Sequence, residues 1–316
     1  MNATSVGSDQ ALAVHADWSI DSRKRWMALA LPGADGPVLH IEPVGDVATL
    51  LPRLLALAGP HPVALGVDFP IGVPRAYAAL HATHVTDFPA LLRALPPTFL
   101  YVADTLDDVG PHRPFYPRRG VRGMTRLAHA KALGFPTAAA LSRACDRATA
   151  DRPAGAPLFW TLGANQSGKA AINAWRDLLL PNIDQIALWP FEGPFRTLLR
   201  PGRVAIAETY PADALRQIGL RPIGSKRRQS DRAALVPGLR TAMAALRATP
   251  SPSLETHLTT GFGPDAAGED RLDCLLGVLC VLLVLAGRRP DTAPPDPAIH
   301  RWEGWVLGQH PPPTES

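Results

Sequence analysis

The chain is short of cysteine, of aromatic residues and of net charge. Its 316 residues include three cysteines and 6% aromatic residues, and the formal net charge is +4. Cys145, Cys274 and Cys280 are odd in number and lack the paired spacing of a zinc site, which argues against a disulfide framework. The small basic excess permits an anionic partner, but it does not by itself identify a nucleic-acid-binding protein.

A secretion signal and a membrane-length apolar run are also missing from the sequence. The first ten residues contain neither the basic start nor the apolar stretch of a signal peptide. The longest apolar run, residues 274–287, is shorter than the roughly 18 residues that a membrane span requires. Together with the scarcity of cysteine, these absences predict a cytoplasmic protein in which the apolar run forms a buried helix.

What the chain does contain is a regular succession of strand and helix patterns. Apolar runs separated by Pro, Gly and Asp-Gly turn signals predict an antiparallel meander, and a later continuous apolar run predicts a buried strand. The predicted strands are 11–18, 25–31, 36–43, 63–67 and the first part of 203–220. Apolar residues at helical spacing mark further elements. The predicted helices are 46–59, the second part of 203–220, 230–247 and 268–286, whereas 251–257 resembles a loop.

This order predicts an α/β protein with a mixed five-stranded sheet and helices on both faces. Three antiparallel strands followed by alternating strands and helices are typical of the ribonuclease H-like fold. Residues 10–309 would form a single domain of that kind, in which 75–200 is a long inserted segment of helices and loops. Residues 1–9 and 310–316 would be flexible tails.

Carboxylates fall at the points where such a sheet would bring them together. Asp17 ends the first predicted strand, Asp68 the fourth and Glu208 the fifth. Asp270 and Asp273 are three residues apart at the start of the last long helix, so they share one face of it. In a ribonuclease H-like sheet the first and fourth strands are central neighbours, so their ends would lie close together.

Acidic groups that are forced together repel one another unless cations hold them. Two Mg²⁺ or Mn²⁺ ions about 4 Å apart would satisfy them, and could activate water for phosphodiester hydrolysis. The predicted metal ligands are Asp17, Asp68, Asp270 and Asp273. The predicted catalytic residues are Asp17, Asp68, Glu208 and Asp273.

Each carboxylate also has a purely structural interpretation. An aspartate that ends a strand is often a turn or capping residue, and Asp270 could serve the helix dipole. Glu208 could pair with Arg203 or Arg216. Asp273 lies on the edge of an apolar run, where an unpaired carboxylate is costly, so a function is favoured there.

Basic residues supply candidate contacts to phosphate. Arginines bind phosphates bidentately, and aromatic rings such as Phe115 and Tyr116 in the arginine-rich segment 112–126 could stack bases. The predicted substrate-binding residues are Arg118, Arg119, Arg122, Lys169 and Lys226. A solvated basic loop remains the alternative for each basic run.

One further motif concerns nucleotide binding. Residues 163–170, GANQSGKA, have the spacing of a P-loop, but Ala170 stands where a Ser or Thr hydroxyl would bind Mg²⁺. The apolar strand that ends in an aspartate also comes before this stretch and not after it. The sequence therefore argues against an NTPase, although Lys169 could still contact phosphate.

The chain resembles the domain-of-unknown-function 429 family, whose members are predicted to be ribonuclease H-like nucleases. The resemblance rests on HADWS, GVDFPIGVP, AETYPADAL, EDRLDCLLGVLCVLL and EGWVLG, and it spans roughly residues 11–309. It implies a ribonuclease H-like fold and an acidic, metal-binding centre. The positions that it carries over are Asp17, Asp68, Glu208 and Asp273, with Asp270 as a further candidate. The D-x-x-D spacing is similar to that of Holliday-junction resolvase relatives.

Three functions follow from these patterns. The first is a nuclease that depends on Mg²⁺ or Mn²⁺ and acts on nucleic acid. The second is a non-catalytic nucleic-acid-binding protein that keeps the fold. The third, an actin-like ATP-dependent phosphotransferase, is less favoured because residues 17–26 lack the glycines of a phosphate loop.

Overall fold

A seven-stranded mixed sheet organises the described part of the chain. The computed structural model describes residues 11–120, 122–148, 153–163, 167–221 and 224–310. The strands are β1 Leu12–Asp17, β2 Trp26–Leu31, β3 Val38–Pro43, β4 Val63–Val67, β5 Ile186–Leu188, β6 Val204–Glu208 and β7 Thr249–Pro250. Their order across the sheet is β5-β6-β4-β1-β2-β3-β7. Of the predicted tails, residues 1–9 and 311–316 lie outside the described residues, and His310 lies within them.

The α/β class and the strand pairings near the centre of the sheet are confirmed. Strand β1 is antiparallel to β2 and parallel to β4, and β2 is antiparallel to β3. Strand β6 is parallel to both β4 and β5. The predicted count of five strands is wrong, because β5 and β7 extend the two edges. Both are too short, at three and two residues, to show a strand period in the sequence.

Helices cover both faces of the sheet. They are α1 Leu50–Ala58, α2 Arg75–His81, α3 Phe88–Arg93, α4 Arg126–Ala132, α5 Ser167–Ala174, α6 Leu180–Asn182, α7 Pro211–Gln217, α8 Gln229–Ala245, α9 Pro252–Thr259 and α10 Ala267–Leu285. The prediction of a loop at 251–257 is wrong. Ser251 caps α9 by accepting a hydrogen bond from the Leu254 N–H, and Pro252 occupies the first helical position. Both are ordinary start signals of a helix.

The segment 75–200 contributes to one of the two large hydrophobic cores. Its side chains pack with α1 against the face of the sheet that carries Val14, Leu65 and Ile206. Interlocked aromatic rings fill this core, and Trp175 donates a hydrogen bond from its ring N–H to the Pro70 carbonyl at 2.8 Å. The segment predicted as an insertion therefore covers this face of the sheet together with α1, and it also contributes β5 to the sheet itself.

Helix α10 occupies the middle of the opposite face. All of its residues from Arg271 to Val281 are buried, and the helix packs against β1, β2 and α7, as the apolar run predicted. The three cysteines are buried, and none of them forms a disulfide. Over the described residues, we find no helix that combines the length and the apolar character of a membrane span.

A close contact sets the distance between α10 and β1. A Cβ atom at Gly277 would lie 2.1 Å from Cγ of His15, a buried residue on β1. Gly277→Ala is therefore expected to lower the free energy of unfolding by about 1–3 kcal/mol, the usual cost of overpacking. Urea denaturation measures it, and Gly110→Ala is the control because nothing lies within 4 Å of a Cβ there. Equal stability of the Gly277→Ala variant and the parent would contradict this packing.

Candidate functional site

The sheet register brings two of the predicted carboxylates together. Ala16 is the register partner of Val67 in the parallel pair of β1 and β4. Asp17 and Asp68 are the next residues in the sequence after these two, so they lie side by side at the carboxyl ends of the strands. The two carboxyl groups are close enough for Asp68 to raise the pKa of Asp17. Asp68 Oδ1 also accepts a hydrogen bond from the Trp18 N–H at 2.6 Å. Asp17 and Asp68 therefore share one position at the end of the sheet.

Helix α10 contributes the other two aspartates. Asp273 and Asp270 lie close enough to Asp17 for their charges to raise its pKa. Asp273 is buried, and Lys226 Nζ lies 2.5 and 2.6 Å from its two carboxylate oxygens. The structure thus groups four of the predicted site residues, and it places Lys226 among them as an ion-pair partner.

Burial and mutual repulsion make this cluster electrostatically unfavourable. Burial, then the neighbouring Asp68, Asp273 and Asp270, hold the pKa of Asp17 well above its usual range. Burial raises the pKa of Asp68 to about 7 and that of Asp270 to about 6. Burial also raises the pKa of Asp273, although Lys226 opposes the shift. A group of carboxyls that resist ionisation in this way would be stabilised by added positive charge.

These shifts predict how stability depends on pH. A carboxyl whose pKa is raised by folding binds more protons in the folded state, so its contribution is favourable at low pH and is lost as pH rises. For Asp68 the loss runs from about pH 4 to about pH 7. In EDTA, Asp68→Asn should therefore gain stability over the parent across this window. The gain should reach a few kcal/mol, since each pKa unit corresponds to about 1.4 kcal/mol.

Urea titrations of both proteins at a series of pH values measure that difference. Comparing the variant with the parent removes the contributions of the other titrating groups, which the two share. A stability difference that stays constant from pH 4 to pH 7 would contradict the raised pKa of Asp68.

Glu208 is not part of this cluster. It is the register partner of Val67, one residue before Asp68, and successive side chains of a strand point to opposite faces. Its carboxylate is fully buried and accepts hydrogen bonds from Arg143 Nη1 at 2.6 Å and Nη2 at 2.7 Å. Another comes from the Ile71 N–H at 2.8 Å. The prediction that Glu208 joins the other carboxylates is wrong. It used the position of Glu208 at a strand end but not the face of the sheet to which its side chain points.

The surroundings of Glu208 form a buried ion network. Ligand atoms of Cys145, Asp146 and Glu208 lie within 4.8 Å of one another, which is close enough to hold a metal ion. Arg143 already binds both carboxylates, with Nη2 2.9 Å from Asp146 Oδ1. Burial holds the pKa of the Cys145 thiol well above its usual range. A metal ion would have to displace a guanidinium and ionise that thiol, so we assign the group a structural role.

A cleft of about 830 Å³ opens beside the aspartate cluster. Asp68, Asp273 and Lys226 lie in its wall, together with the residues that follow β1 and those that begin α5 and α7. Arg216 and Lys24 add positive charge to the same wall, and Arg216 is paired with Asp213. The cleft gives a ligand access to two of the clustered carboxylates and to cations suited to an anionic group.

The arginine-rich segment matches its prediction only in part. Arg119 and Arg122 are exposed, and Arg118 forms an ion pair with Asp104 at 3.1 Å. Phe115 and Tyr116 are buried, with exposures of 0% and 1%, because they pack among other aromatic rings. The proposal that these two rings stack bases is therefore wrong.

The P-loop-like stretch borders the cleft, although residues 164–166 lie outside the described part of the chain. Ser167 and Ala170 of α5 line the cleft, whereas Lys169 does not. The apolar residues 158–163 before it form no strand of the sheet. The strand, loop and helix order of a nucleotide cradle is therefore not met.

Two features of the site escaped prediction from sequence. Lys226 was expected to contact substrate, and its pairing with Asp273 across 47 residues has no local signal. The second feature is His15. It is fully buried with neither ring nitrogen hydrogen-bonded to any described residue, and burial lowers its pKa to about 3. A neutral ring is the form that tolerates such a site.

Comparisons of the chain with protein-family models, curated proteins and solved structures found no match. The resemblance to the domain-of-unknown-function 429 family therefore stays a prediction. The functional argument depends on the geometry of the cleft and its carboxylates.

Proposed function

We propose that the protein is a metal-dependent nuclease that hydrolyses phosphodiester bonds at the cleft beside Asp17, Asp68 and Asp273. The observation that carries this proposal is the convergence of these aspartates from β1, β4 and α10. Each aspartate comes from a different element, so the cluster is produced by the fold and not by a local acidic run. Ionisable groups whose pKa values are strongly shifted, as these are, are concentrated at functional sites.

The sheet order supports the finer proposal of a ribonuclease H-like fold. Within the observed order, β3-β2-β1-β4-β6 runs continuously, with β2 antiparallel to β1 and with β4 and β6 parallel to it. This is the arrangement that the element order of the sequence predicts. Strands β5 and β7 would then be additions at its two edges.

The donor set fits Mg²⁺ or Mn²⁺. Carboxylate oxygens are the ligands that these cations prefer, and the cluster offers them from Asp17, Asp68 and Asp270. The raised pKa values of these three groups mark a site short of positive charge. Lys226 neutralises Asp273, so Asp17 and Asp68 would be the principal ligands and Asp270 a further one, with Asp273 available to the metal only if its ion pair with Lys226 opens.

A bound divalent cation would supply an activated water and would stabilise negative charge on the phosphate oxygens. The protein's own residues would do the remaining work. Lys226, Lys24 and Arg216 would attract and orient the phosphate. The Trp18 N–H fixes the orientation of the Asp68 carboxylate through its hydrogen bond.

One observation favours a second candidate, a binding protein without catalysis. The Lys226 ammonium already satisfies Asp273, so part of the acidic cluster is neutral without any metal ion. In that case nucleic acid would bind with the same affinity in Mg²⁺ and in EDTA. Nothing comparable favours the phosphotransferase.

A cleavage assay separates the candidates. Single-stranded DNA and RNA labelled at one end are incubated with the protein in Mn²⁺, in Mg²⁺ and in EDTA. We expect shortening of at least one substrate with a cation and none in EDTA. Binding without cleavage under every condition would favour the non-catalytic protein, and intact substrate without binding would refute both.

A further inference from the structure

We propose that the cleft accepts a single nucleotide at the end of a strand, so that the protein releases mononucleotides instead of cutting within a strand. This inference rests on the proposed nuclease function and adds the form of its substrate. Three properties of the cleft carry it: its volume, the segments that line it and the chemistry of its walls.

The volume suits a small ligand. About 830 Å³ falls within the roughly 300–1,000 Å³ of sites that enclose small molecules and cofactors. Specific binding of duplex DNA instead buries about 1,000–2,500 Å² of protein surface along an open face. A nucleotide with its phosphate can fill a cleft of this size, whereas a duplex has to lie across a surface.

Several separate segments line the cleft that reaches Asp68 and Asp273. The turn after β1, residues 153–156, the start of α5 and the start of α7 all contribute to its wall. An internal phosphodiester could reach the aspartates only if the strand left between these segments on two sides. A strand end needs a single opening, so walls contributed by this many segments favour terminal nucleotides.

The walls divide into an apolar part and a charged part. Ile20, Pro153 and Pro211 present apolar surface, and Ile20 keeps 46% of its area exposed. Lys24 and Lys226 lie on the same cleft as the aspartates. A ligand that has a flat apolar ring and a phosphate matches this division, because the ring can cover Ile20 while the phosphate meets the cations.

Trp18 is not the surface that would hold the base. Its ring is packed edge-on against Phe69 at 5.3 Å, and the Arg25 guanidinium lies 4.4 Å from the ring centre. Only 5% of Trp18 is exposed. Since both partners already use this ring, Ile20 and the prolines are left as the apolar contacts.

Beyond the cleft, the described part of segment 112–126 offers a longer strand exposed cations, at Arg119 and Arg122, but not the rings of Phe115 and Tyr116. The rings of Phe115 and Tyr116 are buried, and Arg118 is paired with Asp104. Nonspecific binding of a long single strand usually combines stacking on exposed rings with a basic track. In this segment a longer strand would meet cations without the exposed rings of Phe115 and Tyr116 on which its bases could stack.

The reaction consumes one water for each nucleotide released. The water oxygen forms a bond to phosphorus, and the bond from phosphorus to the oxygen of the adjoining nucleotide breaks. That leaving oxygen gains a proton and becomes a hydroxyl group, while the phosphate remains on the other fragment.

Linear and covalently closed circular single-stranded DNA of the same sequence test the inference in Mn²⁺. We expect the linear form to yield mononucleotides and the circle to be cut at least about a hundredfold more slowly. Opening of the circle at a rate near that of the linear form would overturn the inference while leaving the proposed nuclease intact. Cleavage of neither form would overturn the proposed function, and the inference with it.

A substitution in the cleft wall gives a second measurement on a small probe, thymidine 5′-monophosphate p-nitrophenyl ester. Ile20→Glu should raise KM for this ester about tenfold with little change in kcat. Leu57→Glu is the matched control, because Leu57 is 53% exposed on α1 and does not line the cleft. An unchanged KM in the Ile20→Glu variant would remove the apolar wall from the proposal.

Discussion

Glu208→Gln is expected to lower the free energy of unfolding by about 3–5 kcal/mol, the usual cost of breaking a buried ion pair. Glu208 and Arg143 are both fully buried, and the carboxylate takes two hydrogen bonds from the guanidinium. Arg143 forms ion pairs with Glu208 and with Asp146, and a glutamine at position 208 would leave only the pair with Asp146. Urea denaturation followed by circular dichroism measures the loss.

A surface ion pair provides the control for this prediction. Glu255 pairs with Arg240, and both side chains are about two-fifths exposed, at 41% and 42%. Glu255→Gln should cost less than about 1 kcal/mol, as exposed pairs usually do. If Glu208→Gln folded as stably as the parent but had lost its activity, Glu208 would be catalytic, as its position at a strand end first indicated.

Asp17→Asn should lower the activity of the protein and raise the stability of its metal-free form. We expect the rate of phosphodiester hydrolysis to fall by at least about 100-fold, because the amide removes a charged ligand from the proposed metal centre. The metal-free protein should become more stable at pH 8. Burial and three neighbouring carboxylates all disfavour the ionised form of Asp17, and asparagine carries no charge.

The two effects are measured on the same preparation, by cleavage in Mn²⁺ and by thermal unfolding in EDTA. Asp35→Asn serves as the control, since Asp35 is exposed in the turn before β3 and does not line the cleft. It should leave both quantities unchanged. Full activity of Asp17→Asn would exclude Asp17 from the reaction, and a loss of stability would mean that its carboxylate is structural.

Sequence patterns predicted the centre of the sheet because its strands have strong local signals. The runs at 63–67 and 203–208 are continuous and apolar, and the run at 274–287 could only be buried. Strand β5 escaped because three residues cannot show a period. The layer formed by 75–200 escaped because its aromatic residues are far apart in sequence and meet only in the fold.

The sequence predicted which aspartates come together at the candidate site, but not which ion pairs they and Glu208 form. The ends of β1 and β4 and the start of α10 placed Asp17, Asp68 and Asp273 together, as the structure has them. Glu208 is paired with Val67 in the sheet, so its side chain points away from the face that carries Asp68. Its ion-pair partner, Arg143, lies 65 residues away in the sequence. Long-range ion pairs of this kind leave no mark on local sequence.

Anomalous X-ray scattering from crystals grown in Mn²⁺ tests the central claim most directly. The account predicts a manganese peak in contact with carboxylate oxygens of Asp17 and Asp68, together with a change in the ion pair between Lys226 and Asp273. A crystal that shows no manganese at Asp17 and Asp68, or manganese only at Cys145, Asp146 and Glu208, would contradict it.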